Sequence, residues 1–318
     1  MNLPTTYEPC DGLPRWPNLW LGCWSLAGEG FGPTDGRESR QLLQQAFDAG
    51  ICHFDTAGFY AHGKSEQLLG QALKKVRSQV FISSKGGLRW QGKIVSHAAT
   101  PSDLQQDLEQ SLKRLNTDYL DLFQLHWPDP QVAVEESIDA LKAMQQQGKI
   151  RDWGVGNLSP EQVDSLLPES GQIPHQTQHS LLYRNDAVLV AGKRQQRCFN
   201  CVTSPLAQGL LGSSTSQQGL THLGKRDVRR RNELFHSETV KQWLEQLEIL
   251  ISPLSLGKPE VALGWLAQQA NVDAIIVGPK TPQQLQQLLG IWERIKTLAI
   301  DEPLLAAHLE RGPNHPQR

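Results

Sequence analysis

The sequence predicts an α/β chain whose parallel strands close into a (β/α)8 barrel of the TIM type. Three observations carry that prediction. Strand-like and helix-like segments alternate along most of the 318 residues. The strand-like segments are mostly apolar without regular alternation, as strands buried on both faces are. There are eight of them, the number that closes such a barrel.

In chain order, NLWLGCW from Asn18 reads as the first strand. AGEGFG around Gly28 has G-x-G-x-G spacing but no strand–turn–helix unit, so it is expected to be a flexible rim loop. The amphipathic run SRQLLQQAFDAG leads to the second strand, ICHF from Ile51, and SEQLLGQAL leads to the third, VFISS from Val80. PSDLQQDLEQSLKRL has Thr100 as N-cap and Pro101 at its first helical position, and precedes the fourth strand, YLDLFQL from Tyr119. VEESIDALKAMQQQG ends at Gly148 as a C-cap would, before the fifth strand, IRDWGVG from Ile150. HQTQHS from His175 and NCVTS from Asn200 follow as strands six and seven; PEVALGWLAQQA and then DAIIVG from Asp273 complete the set. Only residues 212–235 break the rhythm, being polar, then basic, and without period. A connection that long inside a compact domain suggests a functional lid or a solvated, disordered loop. The expectation is one barrel domain over 1–318, with an N-terminal extension at 1–17 and a C-terminal helical tail at 291–318.

A net charge of -2 gives no reason to expect a nucleic acid or a membrane surface as partner. No apolar run reaches the ~20 residues of a membrane span, and the N-terminus lacks the basic start and apolar core of a secretory signal. Five scattered cysteines suggest reduced thiols in a cytoplasmic protein. Cys198 and Cys201 form a C-x-x-C, but no further Cys or His pair stands nearby to complete a metal site, and the motif leads into a strand rather than opening a helix. A structural role and no metal are expected.

The stretch GFYAHGKS poses a puzzle. Gly58, Gly63, Lys64 and Ser65 satisfy G-x-x-x-x-G-K-[ST], the phosphate-cradling loop of nucleotide triphosphatases. Such an enzyme also needs a carboxylate at the tip of a neighbouring strand to hold magnesium, and none stands out. Strand ends suggest a different chemistry. Asp55 ends the second strand, with Tyr60 in the loop beyond, Lys85 ends the third and His126 the fourth. A carboxylate, a phenol, an ammonium and an imidazole thus converge where barrel enzymes place their catalytic groups.

With FDTAGFYAHGKSEQLLG, ISSKGG, DYLDLFQLHWPDP, GKIRDWGVGN, SPLAQGLLG and IIVGPKTPQQL, the sequence resembles the aldo-keto reductase family from about Leu19 to Gly290. Its bacterial, general-stress-type members are most similar. The resemblance implies reduction of aldehydes or ketones to alcohols with NADPH, returning NADP+, and maps the family's tetrad onto Asp55, Tyr60, Lys85 and His126. Tyr60 would protonate the carbonyl oxygen, Lys85 would lower the phenol's pKa, Asp55 would hold Lys85, and His126 would orient the carbonyl. On this reading Gly63-Lys64-Ser65 is the turn and N-cap of a helix. The resemblance assigns cofactor contacts to Gly22, Asn157, Gln176, Ser204, Leu206, Gly209, Gly278, Lys280 and Gln284. The chain departs from the family pattern at Gly156, Thr203 and Leu288, where a serine, a stacking aromatic and an adenine-binding asparagine are usual, and it lacks the lysine many members carry after LLG. Trp24, Trp90 and Trp127 are candidates for the substrate pocket, which would suit an apolar or aromatic aldehyde. The expected partner is a small carbonyl compound, and the expected state a monomer or small homo-oligomer. The main alternative is a cofactor-sensing regulatory subunit on the same barrel, like the family's potassium-channel β subunits, with the nucleotide triphosphatase third.

Overall fold

The computed structural model describes residues 18–91, 94–168, 171–212, 223–225, 227–298 and 303–313. The N-terminal extension at 1–17 and much of the expected lid (213–222 and 226) lie outside the described residues. In chain order the regular elements begin with β1 (Asn18–Gly22), α1 (Gly36–Asp48), β2 (His53–Asp55), α2 (Lys64–Leu73) and β3 (Phe81–Gly86). A hairpin of β4 (Leu88–Gln91) and β5 (Ile94–His97) precedes α3 (Pro101–Leu115), β6 (Leu120–Leu125), α4 (Val134–Gln146) and β7 (Ile150–Gly156). Then come α5 (Pro160–Leu166), β8 (Ile173–Gln178), α6 (Asp186–Lys193) and β9 (Cys198–Thr203), followed by α7 (Glu238–Ile251), α8 (Lys258–Ala267), β10 (Ala274–Val277), α9 (Pro282–Ile295) and α10 (Pro303–Arg311).

Eight strands, β1, β2, β3, β6, β7, β8, β9 and β10, pair in parallel in that order, and β10 pairs with β1 to close the barrel. These are the eight strands expected from the sequence, with ends shifted by one or two residues. Helix starts follow their local chemistry. The Asp35 carboxylate accepts the Arg37 N–H at 2.6 Å to open α1, and Thr100 Oγ1 accepts the Asp103 N–H at 3.2 Å to open α3, with Pro101 at its first position. At Ser159 both halves of a capping box with Gln162 are present. Gly148 has φ +72, the left-handed value that ends the α4 turn.

Inside the barrel, an aromatic plug of Trp20, Phe81 and Phe199 with Leu122 and Ile276 fills the lower part, where the Trp20 and His53 rings stack 5.3 Å apart. Above it lie buried polar groups, including Ser83, Gln124, Asp55 and Gln176. The core thus changes from apolar to polar toward the ends of the strands where the candidate groups stand.

The structure adds to or corrects the sequence reading at three points. The β4–β5 hairpin was not foreseen, because its strands carry neither a long apolar run nor a clean alternation. Within the expected turn and N-cap Gly63-Lys64-Ser65, Gly63 is the cap; Ser65 lies inside α2, where it pairs with Thr56 Oγ1 at 2.9 Å and donates to the Cys23 carbonyl at 3.0 Å. Cys23, Cys198 and Cys201 are free, but Cys52 is disulfide-bonded, so the reading of five reduced thiols does not hold there. Cysteine count and spacing carry no information on which thiols the fold brings together. Cys198 and Cys201 sit three apart on β9, on opposite faces of the strand, so they cannot share a ligand. Among the described residues no group of three or more His, Cys, Asp or Glu could hold a metal ion, and no helix is long and apolar enough to cross a membrane.

Candidate active site

Parallel pairing puts the end of every barrel strand on one rim. Asp55 is the last residue of β2, Lys85 is the penultimate residue of β3, His126 follows β6 directly, and Tyr60 begins the short turn between β2 and α2. Lys85 is 4% exposed, and its ammonium donates to both oxygens of Asp55, at 2.8 and 2.7 Å, and to the Thr56 carbonyl at 2.9 Å. The same ammonium lies 5.2 Å from the centre of the Tyr60 ring. One face of that ring stacks on Trp24 (centroids 5.6 Å apart, planes within 16°), and the His126 ring meets it edge-on at 5.7 Å. The four candidate catalytic groups therefore form one contiguous cluster, with Asp55 and Lys85 buried and Tyr60 and His126 half-buried.

Burial sets the titration of these groups. Tyr60 has its pKa raised above 10, because desolvation outweighs the opposing charge and hydrogen bond of Lys85. This corrects the expectation that Lys85 brings the phenol's pKa below its ordinary value. The ammonium acts in the expected direction, but burial dominates in the free protein. Lys85 is itself raised: burial opposes its charge, but Asp55 and Tyr60 together favour it. His126 is held well below 6.5 by burial and then by the Lys85 charge, so its ring is neutral at neutral pH. Its Nδ1 is buried without a hydrogen-bond partner.

Beside this cluster runs a cavity of about 660 Å³. Asp55, Tyr60 and Trp24 line one part of it, and Gly22, Ser204, Leu206, Gly209, Gly278, Lys280 and Gln284 line the rest, so seven of the nine candidate cofactor residues share one groove. The floor is built for close approach. A Cβ on Gly22 would stand 3.2 Å from Ile276 Cγ2, and one on Gly278 3.2 Å from the Gly22 carbonyl oxygen. At the far end, Thr281 caps α9 and Pro282 starts it, aiming the positive end of the helix toward Lys280. Lys280 Nζ donates to the Phe31 carbonyl at 2.7 Å, and its backbone N–H donates to Gln284 Oε1 at 2.7 Å. Burial and then the Arg229 charge lower the Lys280 pKa.

Asn157 and Gln176 are placed differently from the rest. Asn157 Nδ2 donates to the His126 carbonyl at 2.9 Å and Gln176 Nε2 to Asp55 Oδ1 at 2.7 Å, so both amides brace the tetrad and neither lines the groove. Gly156 has a steric reason to be glycine, since a Cβ there would lie 2.7 Å from the His126 carbonyl oxygen. Thr203 and Leu288 line the groove, where the family's usual aromatic and asparagine would stand. Trp90 stacks on Phe59 at 4.6 Å, donates to the Phe59 carbonyl at 3.1 Å, and lines a neighbouring polar cleft instead of the main cavity. Trp127 is 45% exposed beside His126. Lys64 is exposed at the first residue of α2, outside the groove.

Two groove residues escaped the sequence analysis or were underused. Phe31 sits in the glycine-rich loop, and Arg229 stands over its ring at 5.6 Å while making a two-pronged bond to Asp227 at 2.7 and 2.8 Å. Of the basic run 225–231, Arg229 lines the cavity; Lys225 and Arg231 are exposed, and Arg226 lies outside the described residues. The backbone N–H of Val228 donates to the Gly30 carbonyl at 2.8 Å, so the start of this run is tied to the rim loop. Nothing local in the sequence pairs Phe31 with a residue nearly two hundred positions away.

Residues 18–302 match the model of the Aldo/keto reductase family. Over 281 residues the chain is 33% identical to Aldo-keto reductase YhdN of Bacillus subtilis (strain 168), covering 86% of this chain and 84% of that protein. It is 29% identical over 292 residues to the NADH-specific methylglyoxal reductase of Escherichia coli (strain K12), covering 85% of this chain and 87% of that one. Among solved structures, the glycerol dehydrogenase AKR11B4 from Gluconobacter oxydans is similar with a TM-score of 0.77 at 26% identity, covering 94% of this chain and 93% of the other. The chain belongs to the aldo/keto reductase family, a family of oxidoreductases that use nicotinamide cofactors.

Proposed function

We propose that the chain reduces aldehyde or ketone carbonyls with NADPH and that Tyr60 donates the proton. The observation that carries the reading is the Lys85 ammonium, chelated by Asp55 and set beneath a half-buried phenol at the mouth of the long groove. The bound nicotinamide supplies the hydride. The chain's own groups do the rest. Tyr60, a phenol whose pKa burial moves further up from 10, is protonated at neutral pH, as an acid must be before it acts. An alkoxide forming on the substrate is a far stronger base than a phenolate, so the proton still transfers, and Lys85 stabilises the phenolate left behind. Asp55, fixed by Gln176, keeps Lys85 charged and in place. The neutral His126 ring orients the carbonyl oxygen and shares its developing charge. Trp24, stacked on Tyr60, forms an apolar wall that suits an apolar or aromatic aldehyde.

The preference for NADPH rests on the far end of the groove. The extra phosphate brings nearly two negative charges, and Lys280, Arg229 and the start of α9 provide cationic and dipolar partners. One relative is named as an NADH-specific reductase, so the NADPH preference is tested separately from turnover. Steady-state turnover on a panel of aldehydes, followed by NADPH absorbance, tests the reading. Sustained turnover is expected. Binding of the dinucleotide without turnover on any aldehyde would instead favour a regulatory, cofactor-sensing role.

A further inference from the structure

Gly58 and Gly63 give the GFYAHGKS stretch its misleading spacing, and the proposed reaction uses neither. Arg114, near the end of α3, explains both. Its guanidinium lies against the two glycines: a Cβ on Gly58 would stand 2.7 Å from Nη2, and one on Gly63 2.5 Å from Nε. Arg114 Nε donates to Glu66 Oε2 at 2.5 Å, and Nη2 reaches Ser111 Oγ at 3.4 Å. Glu66, in the first turn of α2, is fully buried, and its Oε1 accepts from Ser84 Oγ at 2.6 Å. Ser84 immediately precedes Lys85 on β3. One ion pair, buried at its Glu66 end and half-buried at Arg114, thus joins α2, α3, the strand of Lys85 and the underside of the Tyr60 turn.

That turn is strained. Ala61, His62 and Gly63 have φ of +49, +53 and +84, three left-handed residues in a row directly after Tyr60. Only the last is a glycine, and left-handed non-glycine residues persist only where the surroundings hold them.

We propose that the Glu66–Arg114 pair is a positioning device that holds this left-handed turn and so keeps the Tyr60 phenol over Lys85. The guanidinium plane fills the space beneath both glycines, and Glu66 fixes that plane against the strand of Lys85. Without Arg114 the turn loses its support, Glu66 is left as a buried charge without its partner, and the phenol drifts from the ammonium. The proposal rests on Tyr60 being the proton donor.

The test uses Arg114→Ala in the full chain, checked for folding by circular dichroism and assayed well below its melting temperature. With saturating NADPH and aldehyde, kcat is expected to fall on the order of 100-fold, the effect of misplacing a reacting group by about 1 Å. The NADPH Kd should stay within about twofold, because the groove is untouched. Millimolar guanidinium should restore much of the lost kcat by refilling the hole. Arg114→Lys, which keeps the charge without the planar fork, should recover less. Tyrosinate absorbance, taken as the difference between each protein and its Tyr60→Phe counterpart, should show the Tyr60 titration moving in Arg114→Ala and returning with guanidinium. If Arg114→Ala does not fold, Glu66→Gln removes one charge at nearly constant shape and should shift kcat and the Tyr60 titration in the same directions. A folded variant with kcat and Tyr60 titration unchanged, however lowered its melting temperature, would overturn the proposal. If the unmodified protein reduces no aldehyde, the reading of Tyr60 as acid fails separately, and the absorbance titration still decides whether the pair positions it.

Discussion

At the scale of single residues, Lys280 is the clearest case of one group serving two partners. Its ammonium is bonded to the Phe31 carbonyl and faces the groove where the adenosine phosphate of NADPH would lie. Lys280→Ala should therefore weaken NADPH binding by about 1–3 kcal/mol, roughly 5- to 150-fold in Kd, and barely change NADH binding. Fluorescence titration with both cofactors measures this, and equal affinity for the two in the unmodified protein would refute the phosphate assignment. Lys64 provides the contrast: exposed at the start of α2, it should tolerate Lys64→Ala with turnover and melting temperature nearly unchanged. ATP binding that this substitution abolished would revive the nucleotide triphosphatase reading. Asp55, Lys85 and His126 were legible in the sequence as candidates because they sit at strand ends, and Tyr60 because it lies in the loop just beyond β2, all inside recognisable motifs. Their braces were not. Gln176 reaches Asp55 across 121 positions, and Asn157 reaches the His126 carbonyl across 31. Local pattern cannot encode such pairings, so these bracing bonds come from the fold alone, beside the cofactor contacts that the family resemblance assigns to both amides.

At the scale of elements, cap chemistry was the most readable feature. Thr100 caps α3 as expected, accepting from the Asp103 N–H and donating to the Asp103 carboxylate at 2.6 Å. Thr100→Ala should cost about 1 kcal/mol of stability and leave kcat unchanged, since the cap lies at the end of α3 remote from Arg114. Urea unfolding and a standard assay separate the two effects, and a loss of kcat matching the loss of stability would contradict this account of α3. The barrel strands were legible because burial on both faces makes them apolar. The β4–β5 hairpin was not, because its outer residues Ile94 and Val95 are exposed and it is held by scattered contacts, Trp90 on Phe59 and His62, and Arg89 on Asp103, with no apolar face of its own. The left-handed turn after Tyr60 was hidden for a related reason. Ala61 and His62 rarely adopt positive φ, and what holds them there comes from α3, about fifty residues on.

At the scale of the whole molecule, the polar layer of the barrel makes stability depend on pH. His175 is fully buried in β8; its Nε2 accepts the Leu158 N–H at 3.3 Å, and its Nδ1 has no partner. Burial lowers its pKa to about 4. Above about pH 6.5, the ordinary histidine value, folded and unfolded chains both leave this ring neutral and it adds no pH dependence. As pH falls from there toward 4, the unfolded chain takes up a proton that the fold excludes, so stability is lost, by roughly 2 kcal/mol at pH 5. His126 acts in the same direction. Urea unfolding at pH 7 and pH 5 should show this loss, and His175→Gln should remove a clear part of it. An identical pH slope in that variant would assign the acid sensitivity to other groups.

The central claim, that a half-buried phenol held over an Asp55-bound ammonium delivers the proton, is tested most directly by Tyr60→Phe. The substitution keeps the ring stacked on Trp24 and removes only the hydroxyl. With saturating NADPH and the best aldehyde of the panel, kcat should fall by at least ~100-fold while the NADPH Kd is unchanged. Turnover within a few-fold of the unmodified protein would contradict the assignment of the proton donor and, with it, the account of the site.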